Sequence, residues 1–169
     1  MYKQVQRIDE DFIKHGEQPY FNFDSFVDYC LWLALLSENR KGRELPPGWS
    51  AYELNALVDE HNQVLCMGQI RFGDCCDNIT WAGHIGYTVP PSKRGNGYAK
   101  EYLRMSLERA WSLGFERAML TCDLDNHASR AVIEHTGGEF LDIYTDGRYC
   151  KRRYWFFNPN IDKPHNTKV

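Results

Sequence analysis

The residues best suited to chemistry lie in a glycine-containing turn between a predicted strand and a predicted helix, in the stretch Val-Pro-Pro-Ser-Lys-Arg-Gly-Asn-Gly-Tyr-Ala over 89–99. Gly95 and Gly97 let the backbone turn tightly and present N–H groups that no side chain shields. The first turn of the following helix adds unpaired N–H donors and the positive end of the helix dipole. Lys93 and Arg94 add positive charge beside them. The stretch therefore predicts an anion site suited to a pyrophosphate.

Other interpretations of this turn fit its sequence less well. A dinucleotide-binding turn has the pattern G-x-G-x-x-G within a parallel β-α-β unit, but the third glycine is absent here and the preceding strands resemble an antiparallel meander. A nucleoside-triphosphate loop needs the sequence Gly-Lys followed by Ser or Thr. Neither Gly95 nor Gly97 is followed by lysine, so this motif is absent here. An ordinary strand–turn–helix connection without a ligand is the plain alternative for a G-x-G pattern taken alone.

Two motifs taken together carry a specific family resemblance. The pattern R-x-x-G-x-A at 94–99 resembles the acyl-CoA signature of the GNAT superfamily, Q/R-x-x-G-x-G/A, which also follows a strand and opens a helix. The segment Leu-Thr-Cys-Asp-Leu-Asp-Asn at 120–126, with Ser129 and Gly137 after it, resembles the strand–Asn–helix segment of that family. The resemblance covers about residues 50–157, and the order of predicted elements around the motifs agrees with it.

The resemblance implies a mixed α/β fold with a mostly antiparallel sheet, a splayed strand pair that binds CoA, and flanking helices. It implies one GNAT domain over residues 1–169, of which we expect 159–169 to be a loose tail. The implied function is N-acetyl transfer from acetyl-CoA to a primary amine by direct attack in a ternary complex. A non-catalytic acyl-CoA-binding sensor is the alternative, and an unrelated binding domain with a structural glycine loop is a third interpretation.

The resemblance also implies which residues would hold the cofactor. Backbone amides of the glycine turn would bind the pyrophosphate, the end of the preceding strand would pair with the pantetheine arm as an added strand does, and the second helix would hydrogen-bond the pantetheine. An N-cap role for Asn126 is compatible with this contact. Arg130 is either a CoA-phosphate contact or a solvated helix charge. The implied cofactor-binding residues are Tyr87, Thr88, Val89, Arg94, Gly95, Asn96, Gly97, Tyr98, Ala99, Asn126 and Ser129.

The proton-transfer groups are where the sequence departs from the family. The position where the family often has a tyrosine acid is Ile133, and the position where several members have a glutamate base is Thr121. We therefore consider His84, on the strand that leads to the signature, as the candidate base, since imidazole titrates near neutrality. A histidine that is hydrogen-bonded within the sheet is the alternative. The candidate for the replacement acid is Tyr149, with Tyr144 and Cys122 as alternatives. Cys122 would also be the nucleophile if the reaction followed a ping-pong route.

The elements that must position these residues follow from hydrophobic periodicity and from turn residues. Apolar residues at helical spacing predict helices at 24–39, 97–113 and 126–135, the first with Asp24 as its N-cap. Alternating or apolar runs predict strands at 2–8, 52–58, 63–72, 79–89, 118–122, 140–144 and 149–157. The order β-α-β-β-β-α-β-α-β-β is mixed α/β. The helix at 24–39 and the loop at 45–48 lie where GNAT proteins build the acceptor pocket, but their residues do not say which small-molecule or peptide amine is accepted.

Composition restricts the remaining possibilities. A chain of 169 residues has room for one ordinary domain, and a formal net charge of −3 without a long basic run argues against nucleic acid as the main partner. No stretch approaches the length of about 18 apolar residues that a membrane span needs, so we expect no membrane partner and a cytoplasmic protein with reduced thiols. Cys75, Cys76 and His84 are metal-ligating types, but no C-x-x-C pair accompanies them, and we predict no metal. Since dimers are common in such folds, a homodimer is an alternative to the monomer.

Overall fold

Two three-stranded antiparallel sheets form the frame of the molecule in a computed structural model that describes residues 1–74 and 76–161. The first sheet has the order β1-β2-β3 and the second the order β4-β6-β5. The strands are β1 (Tyr52–Val58), β2 (Val64–Arg71), β3 (Ile85–Thr88), β4 (Arg117–Asp123), β5 (Glu139–Thr145) and β6 (Cys150–Phe157). The helices are α1 (Tyr2–Lys14), α2 (Phe26–Arg40), α3 (Asp77–Ala82), α4 (Tyr98–Ser112) and α5 (His127–Thr136).

The two sheets meet at one short contact and then separate. The His84 N–H donates to the Met119 carbonyl at 2.7 Å, and Gly83 forms an isolated bridge with Leu120. Within the described residues, β3 and β4 share no ladder beyond this point. A gap therefore opens between the last residues of β3 and those of β4, and β3 keeps one unpaired edge along it.

The core lies between α4 and the join of the two sheets. Ile70 and Ile85 from the first sheet pack with Leu103 of α4 and with Leu120 of β4, and all four are at most 1% exposed. Full burial of one such aliphatic side chain stabilises a fold by roughly 1.5–3 kcal/mol. These buried side chains thus hold α4 against both sheets.

Most of the predicted elements are confirmed, and mixed α/β is the correct fold class. Strand 52–58 has the predicted bounds, and α4 and α5 each lie within one residue of theirs. The helix predicted at 24–39 is α2, but its N-cap is Ser25, whose hydroxyl accepts from the Asp28 N–H at 3.2 Å. Of the tail predicted at 159–169, residues 162–169 lie outside the described residues.

One predicted strand is wrong, and another is correct only in its second half. Residues 2–8 belong to α1, because Val5, Ile8 and Phe12 recur at helical spacing and bury one stripe of that helix. The strand predicted at 79–89 is divided into α3 and the short β3. The helix replaces the strand there because the Asn78 side chain accepts from the Ser50 N–H at 3.1 Å, which fixes α3 to a distant loop.

Candidate functional site

A groove of about 570 Å³ lies at the point where the two sheets separate. Its walls are the end of β3, the turn before α4, the first residues of α4 and the start of α5. It gathers every residue implied as cofactor-binding except Asn96. The lining residues are Tyr87, Thr88, Val89, Lys93, Arg94, Gly95, Gly97, Tyr98, Ala99, Lys100, Asn126, Ala128, Ser129 and Val132.

The turn before α4 contains a row of unpaired amide groups, and two of its residues, Gly95 and Gly97, line the groove. Gly95 and Gly97 have φ angles of +80° and +81°, which only glycine adopts at little cost. Among the described residues, no acceptor binds the N–H groups of Gly95, Asn96 or Gly97. The Asn96 side chain instead closes the turn by donating to the carbonyls of Lys93 and Arg94 at 3.1 and 3.0 Å. With the positive end of the α4 dipole behind them, these amides form an anion-binding surface.

The opposite wall of the groove is fixed by contacts between β3 and α5. The Asn126 side chain caps α5 by accepting from the Ser129 N–H at 2.9 Å. The Tyr87 hydroxyl lies 3.1 Å from the Ser129 Oγ and so connects β3 with α5 across the gap. Burial raises the pKa of Tyr87 to about 12, which keeps the phenol protonated at neutral pH. The inner end of the groove therefore contains a hydroxyl that can donate a proton.

Helix α1 and the segment that follows it hold the turn from outside. Arg94 makes a two-pronged ion pair with Glu17, with N–O distances of 2.6 and 2.9 Å, and its Nε donates to the Val89 carbonyl at 3.2 Å. Ser92 donates to the Asp11 carboxylate from both its N–H and its hydroxyl, each at 3.0 Å. The hydrogen bond from Arg94 holds the pKa of Glu17 below its usual value. These contacts assign Arg94 to anchoring the turn, a role that sequence reasoning missed because residues 2–8 were predicted as a strand.

His84 lies in the core and not in the groove. Its side chain is 0% exposed; its Nδ1 accepts from the Met119 N–H at 2.8 Å, and its Nε2 lies 3.1 Å from Asp74. Burial lowers the pKa of His84, and the nearby Asp74 carboxylate opposes the change only in part. Both ring nitrogens are occupied, so His84 fixes β3 to β4. We therefore do not retain His84 as the base.

The other candidate proton-transfer residues also lie away from the groove lining. The Tyr149 ring stacks on Trp81 at 4.4 Å with an interplanar angle of 9°, and the Thr121 hydroxyl donates to the Trp81 carbonyl at 3.1 Å. Ile133 is fully buried, and burial raises the pKa of the Cys122 thiol, which disfavours the thiolate that a nucleophile needs. Tyr144 donates its hydroxyl to Asp146 at 3.0 Å.

A metal cluster and a membrane-spanning helix are both absent from residues 1–74 and 76–161. No group of three or more His, Cys, Asp or Glu side chains is arranged to hold a metal ion there, and Cys75 lies outside the described residues. None of the helices in the same ranges combines the length and the apolar character that crossing a bilayer requires.

Comparisons with known proteins agree on one fold. The family model of the acetyltransferase (GNAT) domain matches residues 24–139. A chimera of the Vibrio cholerae spermidine N-acetyltransferase SpeG and hSSAT is 16% identical, with 93% of this chain and 92% of that chain covered at a TM-score of 0.62. An acetyltransferase from Salmonella typhimurium that modifies the N-terminal serine of ribosomal protein L7/L12 is 15% identical, with 92% and 90% covered at a TM-score of 0.62.

A third structure carries a form of the cofactor. Mycobacterium smegmatis RimJ in complex with CoA-disulfide is 18% identical, with 96% of this chain and 81% of that chain covered at a TM-score of 0.64. No curated protein sequence matches this chain. At these identities the solved structures show a shared fold, while the acceptors in their names belong to those proteins.

Proposed function

Because this chain belongs to the acetyltransferase (GNAT) family, we propose that the groove between its two sheets holds acetyl-CoA for transfer of the acetyl group to a primary amine. Membership of the family confirms the resemblance drawn from the two motifs and makes the chain an acyl-CoA-dependent N-acetyltransferase. The observation that carries the proposed cofactor position is the row of unpaired amides at Gly95, Asn96 and Gly97, of which the two glycines line the groove at the start of α4.

The pyrophosphate of CoA would accept hydrogen bonds from these amides, where the α4 dipole also favours negative charge. The pantetheine arm carries two amides, and β3 has a free edge along the gap over Tyr87–Val89. Pairing with that edge would direct the arm inward, toward the Tyr87 hydroxyl and Ser129. Arg94 contributes less through its guanidinium than through its backbone, since Glu17 already occupies the guanidinium.

The reaction is attack of a neutral amine on the thioester carbonyl carbon. An N–C bond forms, the C–S bond breaks, the sulfur leaves as a thiolate that takes up a proton, and the new amide nitrogen loses one proton. We assign the proton donor to Tyr87, because its hydroxyl lies at the inner end of the groove and is protonated at neutral pH. No carboxylate or imidazole is among the described residues that line the groove, so water would accept the amine proton, and positioning would supply much of the rate.

The acceptor is an amine, and the structural neighbours span two kinds. One is a spermidine N-acetyltransferase, and another modifies the N-terminal serine of a ribosomal protein. Both a small molecule and a peptide terminus are thus compatible with the fold. We also keep the proposal that two copies of this chain form a homodimer.

Thermal unfolding with acetyl-CoA, CoA, NAD and ATP tests the cofactor assignment. A ligand at about a hundred times its Kd stabilises the native state by roughly 2.7 kcal/mol, which is several degrees for a chain of this size. We expect a shift with the two CoA compounds alone. An equal shift with NAD or ATP, or none with CoA, would refute the assignment. Release of free thiol with an amine panel then separates the enzyme from a non-catalytic acyl-CoA sensor, which would bind without turnover.

A further inference from the structure

Arg71, at the end of β2, is a buried cation without a counter-ion. Its side chain is 8% exposed, and it forms no ion pair with any carboxylate in the described part of the chain. Nη1 donates to the carbonyls of Gly83 and Ala82 at 2.9 and 3.3 Å. Within residues 1–74 and 76–161, Nε and Nη2 donate no hydrogen bond, so half of the guanidinium is left for another partner.

Two other well-covered charges in the described residues are compensated. Glu53, 6% exposed, lies between Arg109 and Arg40, with N–O distances of 2.9 and 3.1 Å. Arg153, whose side chain is 17% exposed, makes a two-pronged pair with Asp142. A buried guanidinium without such a partner is costly, because it loses its hydration and gains no opposite charge. Arg71, which is 8% exposed and has no carboxylate partner in the described residues, therefore needs an explanation.

The surroundings of Arg71 leave it charged. Burial lowers the pKa of Arg71 to about 10, and the tyrosine hydroxyls of Tyr20, Tyr52 and Tyr102 oppose the change. At neutral pH the guanidinium is thus still protonated. Burial also raises the pKa of Tyr20, so its phenol is neutral and does not compensate the cation.

Arg71 lies next to the point where the acetyl group would be transferred. A Cβ built on Gly86 would be 3.5 and 3.6 Å from Nη1 and Nη2, so the guanidinium lies directly over that glycine of β3. Gly86 immediately precedes Tyr87, the first of the groove-lining residues. Because side chains alternate along a strand, Arg71 and Gly86 face one side of the sheet and Tyr87 faces the other. If acetyl-CoA binds on the face of the sheet that carries Tyr87, the acceptor can approach the gap from the opposite face, which carries Arg71.

We propose that Arg71 binds a carboxylate of the acceptor, so that the substrate is an amine that also carries a carboxylate, such as an amino acid or a short peptide. The inference rests on the proposed function and specifies its acceptor. The free Nε and Nη2 form the fork that matches a carboxylate in a two-pronged pair. The bound carboxylate would compensate the buried charge and leave the amine near the thioester. A polyamine, which carries only positive charge, would be repelled from the same place.

Acceptor pairs that differ only in this charge test the proposal. The probes are the common amino acids, their carboxamides, short peptides with free or amidated C-termini, and spermidine, each with acetyl-CoA and a free-thiol readout. For accepted compounds we expect kcat/KM to be about 30-fold or more higher for the acid than for the amide, as expected when a buried polar group loses its partner. In Arg71→Gln the ratio of kcat/KM for each acid to that for its amide should fall to about one. Arg71→Lys should restore part of the difference.

Three results would overturn the inference: equal kcat/KM for acids and amides, acetylation of spermidine in preference to the acids, or no turnover of any carboxylate-bearing probe. The thermal shift with acetyl-CoA, measured on the same samples, shows whether such a result refutes the acceptor class or the proposed function itself. A normal shift with any of the three results refutes only the acceptor class, whereas loss of the shift in the wild-type protein refutes the cofactor site. If Arg71→Gln fails to fold, the acid–amide comparison in the wild-type protein still decides.

Discussion

Substitution of Gly97 by glutamate places a negative charge where the pyrophosphate is proposed to bind. A Cβ at this position meets nothing within 4 Å, so the new side chain has room and does not clash. The φ of +81° costs any non-glycine residue about 1–2 kcal/mol, and this cost is equal for Gly97→Glu and for the isosteric control Gly97→Gln. The difference between the two variants therefore isolates the charge.

The size of that difference follows from Coulomb's law. Two unit charges at about 5 Å, in an effective dielectric constant of about 20–40, repel by about 2–3 kcal/mol. The Kd of Gly97→Glu for CoA should thus exceed that of Gly97→Gln by about 30- to 150-fold at low salt. Titration calorimetry at about 0.05 M and 0.5 M salt measures it, and the difference should shrink at the higher concentration because counter-ions screen a half-open groove.

Equal affinities of the two variants would refute the reasoning, since the carboxylate could not then lie against the phosphates. Matching denaturation curves of Gly97→Glu and Gly97→Gln without CoA serve as the control for folding. A loss of affinity of the same size in both variants would assign the effect to backbone strain and not to charge.

Tyr87→Phe should lower kcat by about 100-fold with little change in the Kd of CoA, because it removes the proposed proton donor but keeps the ring and the backbone edge of β3; an unchanged kcat would contradict that role. Glu53→Gln should lower Tm by about 4–8 °C at pH 7, for a loss of about 2 kcal/mol, since a charged hydrogen-bonded pair becomes neutral. The hydrogen bond from Arg109 holds the pKa of Glu53 below its unfolded value, so its contribution is present above about pH 4.5 and is lost as pH falls through the native pKa. Melting curves from pH 7 to 3 should therefore converge for wild type and variant, and a constant difference would argue against the ion pair. Ile133→Tyr should destabilise by about 1–3 kcal/mol, because Ile133 is fully buried, with Ile133→Leu as the milder control; a rise in Tm of the tyrosine variant would be the contrary result.

The residues of the groove proposed to bind the cofactor could be predicted from sequence to lie together because its parts are local. Gly97 is the N-cap of α4 and Asn126 is the N-cap of α5. The backbone conformation of each cap is set by residues close to it in sequence. The strand at 52–58 could also be predicted, because the alternation of side chains along one strand is visible without knowing its distant partner.

The errors came from contacts between distant parts of the chain. The helix α3 depends on Asn78 reaching Ser50, and no pattern within 79–89 records that contact. His84 was a reasonable base by its type, but its burial against Met119 is decided by how the two sheets join. Arg71 gave no signal at all, because an arginine at a strand end is usually solvated and only the packing of the whole fold buries it. The α1 stripe of Val5, Ile8 and Phe12 was visible in the sequence and could have been found with a longer window.

The contact between α1 and the turn before α4 has a consequence for the order in which the chain folds. Asp11 and Ser92 are 81 residues apart in sequence, as distant as the two ends of many small domains. During synthesis α1 leaves the ribosome first, yet it can dock only after the segment around Ser92 and Arg94 has emerged and turned. Any ligand that rigidifies that turn lowers the entropic cost of docking α1, and the reverse holds equally by linkage. Amide hydrogen exchange in the first helix is therefore a remote reporter of occupancy of the groove, in a segment where no residue has to touch the ligand.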